Sequence, residues 1–293
     1  MNHTSKLIKA MKGWNPALSG YTEQPKGLFG RVAVIQSWAV TINSDEFDFE
    51  FTVPFDDDLE ANEAEIIVYN LTSTTIKNLI YNKPITITAG YKGDTGIIFS
   101  GYISKVTTKR EGVDKKTTIL ALDSPDLKEH DIANVTYAAG TTASYILKDL
   151  ISKTHLPIAI FEPRRNWTYE DETSINGGLM DNIRKYSEVC GISTYINKGK
   201  VYAQHISKGT NSYFNVGVDT GMIESPEEFE EEIKAEDYTD TIKGFNVKML
   251  LQHRISTGSI IKLQSTECNG EYRVRAGKHI FNESEALTEI EVV

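Results

Sequence analysis

The pattern of hydrophobic and polar residues between positions 64 and 104 predicts a strand, a short helix, a strand, a tight turn and a strand, and the predicted fold is organised around this stretch. Its first segment is a strand that is rich in β-branched residues. A short helix follows, with Thr72 or Ser73 as its N-terminal cap, because apolar residues then recur at helical spacing. These apolar residues are Ile76, Leu79 and Ile80. The pattern therefore predicts a β-barrel-like module with one embedded helix.

A β-hairpin completes this module. Pro84 cannot continue the helix, so it restarts the chain as an extended segment. Apolar and small polar residues then alternate with the period of two that is typical of a half-buried strand. A turn is predicted at residues 92–94, and a second strand returns over residues 97–103, with Gly101 at a bulge or a close contact. The residues expected in the core are Ile66, Val68, Leu79, Ile87 and Phe99.

The clearest single strand precedes the module. Residues 46–55, EFDFEFTVPF, alternate aromatic or apolar residues with acidic residues and threonine. Because successive side chains of a strand point to opposite faces, burial of the phenylalanines would direct Glu46, Asp48 and Glu50 outward. Neighbours on one face lie about 7 Å apart, so these carboxylates repel one another and do not favour folding. Either the surface that they create has a function, or they form an ordinary solvated face.

After residue 139 the sequence pattern changes from one typical of strands to one that also predicts helices. Thr141 or Thr142 is predicted to cap a helix that extends to Lys153. A strand, a second helix and a hairpin follow, at about 158–161, 174–189 and 192–205, in that order. The acidic stretch 223–240 is predicted to be a loop or an exposed helix. Four strands close the chain, at 244–251, 259–264, 271–280 and 286–293. The predicted fold class is therefore β-rich α+β, with a small α/β domain between two β regions.

Composition places the chain among globular proteins. It has 293 residues, of which 40% are hydrophobic and 25% charged. It contains no apolar run of the roughly 18 residues that a transmembrane helix needs, and its basic start is too short and broken for a secretion signal. We therefore expect synthesis and folding in a cytoplasm. Cys190 and Cys268 are expected to be buried thiols, although a single bridge between them stays open.

The chain has a formal net charge of −10, and its charged residues are unevenly distributed along the sequence. Residues 45–65 carry ten acidic and no basic side chains, and residues 223–240 carry nine acidic side chains and only one basic one. The remainder is therefore net basic. Such asymmetry suggests that particular surfaces bind particular partners. It argues against a protein that binds double-stranded nucleic acid, because the sequence predicts no recognition helix with a basic face.

The sequence contains no recognisable catalytic, metal or cofactor motif. Nucleophile elbows, zinc-binding helices and phosphate-binding glycine loops are all missing, and the six histidines are scattered without metal spacing. Paired carboxylates are plentiful, but they lie on alternating faces and in charge runs, where raised pKa values are not expected. We therefore predict no catalytic residues, no metal and no cofactor.

Several segments, taken in order, resemble the hub proteins of phage tail baseplates. These hubs include the late control protein D family, the VgrG-type hubs of contractile injection systems, and the hubs of Gram-positive prophages and phage-tail-like bacteriocins. The matching segments are EFTVPFDDDLEANEAEIIVYNLTSTTIKNL, ITITAGYKGDTGIIFSGYIS, the run from ASYILKDLISKTHLPI to GGLMDNIRKYSEVCGISTYINKGKVYAQ, and GSIIKLQSTECNGEYRVRAGKHIFNESEALTEIEVV. The resemblance rests on their collinear order rather than on any one motif.

This resemblance implies two tail-tube-like β-barrels that flank the small α/β domain. The implied domains are an N-terminal arm (1–30), a first barrel (31–139), the α/β domain (140–206) and a second barrel (207–293). It further implies a homotrimer at the distal end of a tail, which forms a pseudo-sixfold ring between the hexameric tube and the trimeric spike. Tail tube protein, spike protein, tape-measure protein and other baseplate proteins would be its partners, with DNA only in transit and no membrane.

The implied location is the baseplate of a virion or phage-like particle, assembled in the cytoplasm of the bacterial host. Glu46, Asp48 and Glu50 would line the lumen of the ring, where a negative wall keeps phosphate from adhering. Phage and bacteriocin particles stay open as alternatives. A peptidoglycan hydrolase of the tail tip is the enzymatic alternative, and a carbohydrate-binding adhesin, which needs an exposed aromatic platform, is the binding alternative.

Overall fold

The computed structural model describes residues 28–124, 131–205, 208–210, 212–235 and 238–293. Its strands are β1 (Arg31–Ser37), β2 (Val40–Asn43), β3 (Phe49–Phe55), β4 (Glu63–Tyr69), β5 (Pro84–Tyr91), β6 (Asp94–Glu111), β7 (Asp114–Leu122), β8 (Asp131–Tyr137), β9 (Ile158–Phe161), β10 (Thr173–Gly178), β11 (Ser193–Asn197), β12 (Lys200–Gln204), β13 (Tyr213–Gly217), β14 (Glu227–Ala235), β15 (Tyr238–Leu250), β16 (Ile260–Gln264), β17 (Asn269–Phe281) and β18 (Ala286–Val292). Its α-helices are α1 (Ser73–Asn78), α2 (Ala143–Ser152) and α3 (Leu179–Val189).

One large sheet connects the first and last thirds of the chain. Its strand order is β14-β15-β18-β17-β3-β4-β7-β6-β5-β1-β2, and β16 joins β13 to β17 beside this path. Two smaller sheets, β10-β8 and β11-β12-β9, belong to the middle third. The predicted β-rich α+β fold is therefore confirmed, and the two β regions share a single sheet.

The first β unit, β1 to β7, encloses the largest apolar cluster. Ile66, Val68, Ile87 and Phe99 are all buried in it, as the sequence predicts. Gly101 lies so close to β7 that a Cβ atom there would overlap the carbonyl oxygen of Leu122, which confirms the close contact.

Helix α1 is shorter than its apolar pattern predicts. The hydroxyl of Thr72 accepts a hydrogen bond from the backbone N–H of Thr75 at 3.1 Å, so the predicted cap is confirmed. Leu79 ends the helix and packs into the core. Ile80, however, is 43% exposed, because the chain leaves the helix there and turns through Asn82 at a φ of +60°. The expectation that Ile80 belongs to the buried helix face is wrong.

The middle third forms a separate apolar cluster around α2 and α3. Thr142 caps α2 as predicted. The predicted helix start near Ser174 is wrong: β10 pairs antiparallel with β8, and α3 begins only at Leu179. Gly177 and Gly178 disfavour a helix, whereas pairing with β8 satisfies the backbone of this segment. The same pairing places β8, which the predicted boundaries assign to the first barrel, beside the α/β elements.

The acidic stretch near residue 230 is a strand rather than a loop or exposed helix. β14 pairs antiparallel with β15, from Glu227 opposite Asn246 to Ala235 opposite Tyr238. Phe229 packs so closely over Gly244 that a Cβ atom there would lie 2.8 Å from its ring. The prediction of a loop or an exposed helix for this stretch is therefore wrong. Exposed glutamates do not oppose strand formation at a sheet edge, where charge also discourages unwanted pairing.

The four C-terminal strands and the β11–β12 hairpin occur where the sequence predicts them. Cys190 and Cys268 are free and buried, which confirms the expected thiols. Residues 1–27 of the predicted arm and the segment 125–130 lie outside the described residues. Within the described part of the chain, no helix is long and apolar enough to span a membrane.

Truncation of Leu79 tests the packing of α1. Leu79→Ala should lower the free energy of unfolding by about 2–5 kcal/mol, because a buried leucine leaves a cavity when it is truncated. The neighbouring Ile80→Ala is the matched control and should cost less than about 0.5 kcal/mol, since its side chain is largely outside the core. Urea titration of both variants measures the difference. Equal effects would contradict the observed end of the helix.

Candidate functional site

The second β unit comprises β13 to β18, and it meets the first where β3 pairs with β17. The ladder runs antiparallel from Phe55 opposite Gly277 to Phe51 opposite Phe281. The ring of Phe281 stacks on those of Phe49 and Phe51, with centroids 5.6 and 5.2 Å apart. Backbone hydrogen bonds and aromatic burial therefore join the units into one body.

Two arginines of the second unit pair with aspartates of the first. Arg254 donates hydrogen bonds to both carboxylate oxygens of Asp94, at 2.5 and 2.7 Å. This contact holds the pKa of the Asp94 carboxyl below its usual value. Arg273, which is buried, donates to Asp57 at 2.7 Å. Because burying these guanidinium groups is costly without a partner, the pairs fix the relative placement of the units.

The α/β domain inserts the tip of its β11–β12 hairpin at the same junction. The ammonium group of Lys198 donates to the carbonyl of Ile97 at 2.9 Å and to that of His253 at 3.3 Å. The side-chain amide of Asn197 donates to the hydroxyl of Ser256 at 3.2 Å. Loss of solvation lowers the pKa of Lys198 to about 8. The tip therefore contacts both β units, and the three parts of the chain meet at one place.

Two neutral histidines lie in this junction. His279 is fully buried, and its Nδ1 shares a hydrogen bond of 2.9 Å with the hydroxyl of Thr288. Burial lowers its pKa to about 3, and burial followed by the charge of Arg254 lowers that of His253 to about 4. Both rings are therefore uncharged packing groups at neutral pH.

A buried carboxyl is the group that most resembles an active-site residue. Asp123 accepts hydrogen bonds from the backbone N–H of Asn62 at 2.9 Å and from its side-chain amide at 3.2 Å. Burial raises the pKa of Asp123 to about 7. The hairpin tip approaches the backbone of this residue, since a Cβ atom at Gly199 would lie 3.6 Å from the Asp123 carbonyl oxygen. This environment indicates a packed structural carboxyl, and neither Asp123 nor Lys198 has a sequence signal that predicts its burial.

The predicted acidic surface is only partly held by a strand. β3 begins at Phe49, so Glu46 lies in the preceding turn and Asp48 at the entry to the strand. The carbonyl of Asp48 accepts a hydrogen bond from the backbone N–H of Tyr69 at 3.0 Å. The carboxylate of Glu50 accepts one from the Tyr69 hydroxyl at 3.4 Å. The predicted start of the strand at Glu46 is therefore too early, whereas the burial of Phe49 and Phe51 and the exposure of Glu46 and Asp48 follow the predicted alternation. The role of the three carboxylates in a lumen stays a prediction.

Several large apolar side chains are exposed, which the alternation of the sequence does not predict. They include Trp38, Tyr81, Tyr145, Trp167 and Val218. Exposed aromatic groups often mark interaction surfaces. By contrast, the described residues contain no group of three or more histidine, cysteine or carboxylate side chains that could hold a metal ion.

Solved structures that share this fold include phage tail proteins and a type VI secretion component. The tail protein from Neisseria meningitidis MC58 has a TM-score of 0.65 and 7% identity, covering 90% of this chain and 96% of that chain. The 43 kDa tail protein of prophage MuSo2 from Shewanella oneidensis has the same score and identity, covering 90% and 98%. A type VI secretion component of E. coli, described as similar to the T4 bacteriophage tail proteins gp27 and gp5, has a TM-score of 0.62 and 10% identity, covering 88% and 76%.

The likeness is one of fold, because the sequence matches no protein-family model and no curated protein. The predicted resemblance to baseplate hubs is confirmed at that level: the chain has the fold of phage tail proteins and their type VI secretion counterparts.

The pH dependence of stability tests the burial of Asp123. Because its folded pKa is raised from 3.8 to about 7, it favours the folded state at low pH, and this contribution is lost as pH rises from about 4 to 7. The two histidines act oppositely, since their lowered pKa values favour folding as pH rises toward 6.5. Asp123→Asn should therefore make stability rise more steeply with pH over this window, by up to about 1.4 kcal/mol per pH unit. Denaturant unfolding from pH 4 to 8 measures it.

The control is the exposed Asp171→Asn, which should follow the wild-type pH profile. A profile of Asp123→Asn that runs parallel to wild type would show that the carboxyl ionises as freely in the folded chain as in the unfolded one.

Proposed function

We propose that this protein is a structural hub of the baseplate, at the distal end of a phage or phage-like contractile tail. Three copies form a pseudo-sixfold ring that adapts the hexameric tail tube to a trimeric spike. Its partners are tube, spike, tape-measure and other baseplate proteins, and DNA passes through the ring. Assembly takes place in the cytoplasm of the bacterial host.

The observation that carries this proposal is the fold of the whole chain. About nine-tenths of it superposes on two tail proteins that are themselves almost completely covered, so the likeness is not that of one small module. The type VI secretion match extends the same architecture to a machine described as related to T4 tail proteins. Since fold alone does not fix function, the proposal needs a direct test of assembly.

The single sheet supports a ring of this kind. Two β units are already joined side by side through β3 and β17, as two neighbours in a ring would be. Three such chains present six β units to a sixfold tube. Among the described residues, the sheet path ends at β2 and β14, so the two ends of one chain are available to face those of neighbouring copies.

In this ring, Glu46, Asp48 and Glu50 face the channel. Glu46 and Asp48 are exposed, and Glu50 is held on the strand beside Tyr69. A channel wall of negative charge repels the phosphates of DNA and so prevents retention during passage.

Measurement of mass and imaging test the hub proposal. Purified protein should form a particle of three times the chain mass of 32.8 kDa, and it should bind rings of the cognate tube protein. Light scattering and single-particle imaging give the mass, the symmetry and the position of the acidic residues. A species that stays monomeric with and without tube protein would overturn the ring. Acidic residues on the outer wall would refute the channel assignment alone.

The hydrolase and adhesin alternatives are tested together on purified bacterial cell walls. No catalytic constellation is present among the described residues, so we expect no release of soluble muropeptides. The exposed Tyr145 and Trp167 of the α/β domain are the feature that favours an adhesin, because aromatic rings stack on sugars. We expect the walls to retain wild type and Trp167→Ala equally weakly. Retention that Trp167→Ala abolishes would establish the adhesin, and muropeptide release would establish the hydrolase.

A further inference from the structure

The first β unit exposes an apolar group with a basic border. Trp38 and Tyr81 are 73% and 72% exposed, and Ile80 lies beside Tyr81 in the same turn. Lys77 and Lys83 flank them. We call these five residues the aromatic patch. Exposed tryptophan and tyrosine are the side chains most often found at the centres of protein interfaces.

The aromatic patch is held in place rather than frayed. Trp38 adopts a φ of +22°, a conformation that a bulky side chain rarely adopts without a compensating gain. The ammonium group of Lys83 lies 4.9 Å from the centroid of its ring. The hydroxyl of Ser37 donates to the carbonyl of Pro84 at 2.9 Å, which ties the turn of Trp38 to the start of β5. The tryptophan ring is therefore presented to solvent by an ordered support.

The second β unit exposes an apolar group with an acidic border. Val218 and Ile223 are 77% and 47% exposed. The exposed carboxylates of Asp219, Glu224 and Glu227 border them, and that of Glu224 pairs with the ammonium group of Lys248 at 3.3 Å. We call the five residues Val218, Asp219, Ile223, Glu224 and Glu227 the acidic patch. Its backbone is fixed to β15, since Leu250 donates to the carbonyl of Gly221 at 2.8 Å and Ile223 donates to that of Lys248 at 3.0 Å.

The two patches match each other in chemistry but lie far apart in the strand order. The turn of Trp38 joins β1 to β2 at one end of the sheet path, and the acidic patch leads into β14 at the other end. Within one chain, carboxylates of the first unit meet guanidinium groups of the second, as Asp57 meets Arg273. In the two patches the charges are distributed the other way round: the first unit carries the ammonium groups and the second unit carries the carboxylates. Each patch therefore complements the other patch of a second copy.

We propose that the aromatic patch of one copy docks on the acidic patch of the next copy, head to tail. Such a heterologous contact repeats identically and closes into a ring when the rotation permits. This inference rests on the proposed hub function and names the surface that makes the ring. Trp38 and Tyr81 supply the apolar centre of the contact, and the charges at the rim select the partner surface and its orientation.

Reversal of charge tests the pairing. Lys77→Glu with Lys83→Glu should raise the apparent dissociation constant of the ring by about 100-fold or more, because like charges would then face each other. Asp219→Lys with Glu227→Lys should do the same. The chain that carries all four changes should assemble to within about tenfold of wild type, since the charges are again opposite. Sedimentation over a range of concentrations gives these constants.

The matched control carries Lys200→Glu and Lys262→Glu, the same change in net charge at exposed positions outside both patches, and it should assemble as wild type does. Trp38→Ala is a second, uncharged probe and should weaken the ring while leaving the melting temperature unchanged. If both pairs of charge reversals abolish the ring and the fourfold variant does not recover it, the two patches do not face each other. If wild type forms the ring and every variant does too, the contact lies elsewhere and the hub stands. A wild-type chain that is monomeric at all concentrations overturns the ring itself.

Discussion

The pairing of β3 with β17 is the constraint on which the rest of the structure depends. It converts two β units, each with its own apolar cluster, into one sheet with continuous hydrogen bonding. Without it, Phe51 and Phe281 would expose facing aromatic surfaces, and Arg273 would lose the carboxylate that makes its burial tolerable. The units therefore have a strong physical reason to stay together in one orientation.

The α/β domain depends on that junction in turn. Asn197 and Lys198 bind backbone and hydroxyl groups that come from both units, so their contacts exist only when the units are correctly paired. A half-buried lysine bound to carbonyl groups is a weak source of stability but a demanding geometric requirement. We infer that the hairpin tip adds specificity to the arrangement more than it adds free energy.

Sequence reasoning succeeded where burial follows a local period. The alternation in β3 and β5 and the caps at Thr72 and Thr142 can be read from neighbouring residues. β10 and β14 were missed because partners distant in sequence or a charged edge, rather than their own residues, make them strands. The junction could not be predicted for the same reason. Arg254 and its partner Asp94 are 160 positions apart, and no local sequence pattern indicates that they pair. The acidic surface was predicted only in part, because Glu50 lies in the strand whereas Glu46 precedes it.

A covalently linked pair of β units changes what ring assembly has to achieve. Six separate subunits must form six contacts between molecules, each of which loses translational and rotational freedom. In the ring that we propose, one of every two contacts would be intramolecular, because β3 and β17 meet within the chain at the high effective concentration that a linker provides. Only the contacts between copies then need specificity of their own. The proposal agrees with the observed distribution: buried aromatic and ionic groups close the junction within the chain, whereas the exposed Trp38 and Val218 lie toward the outer ends of the sheet path.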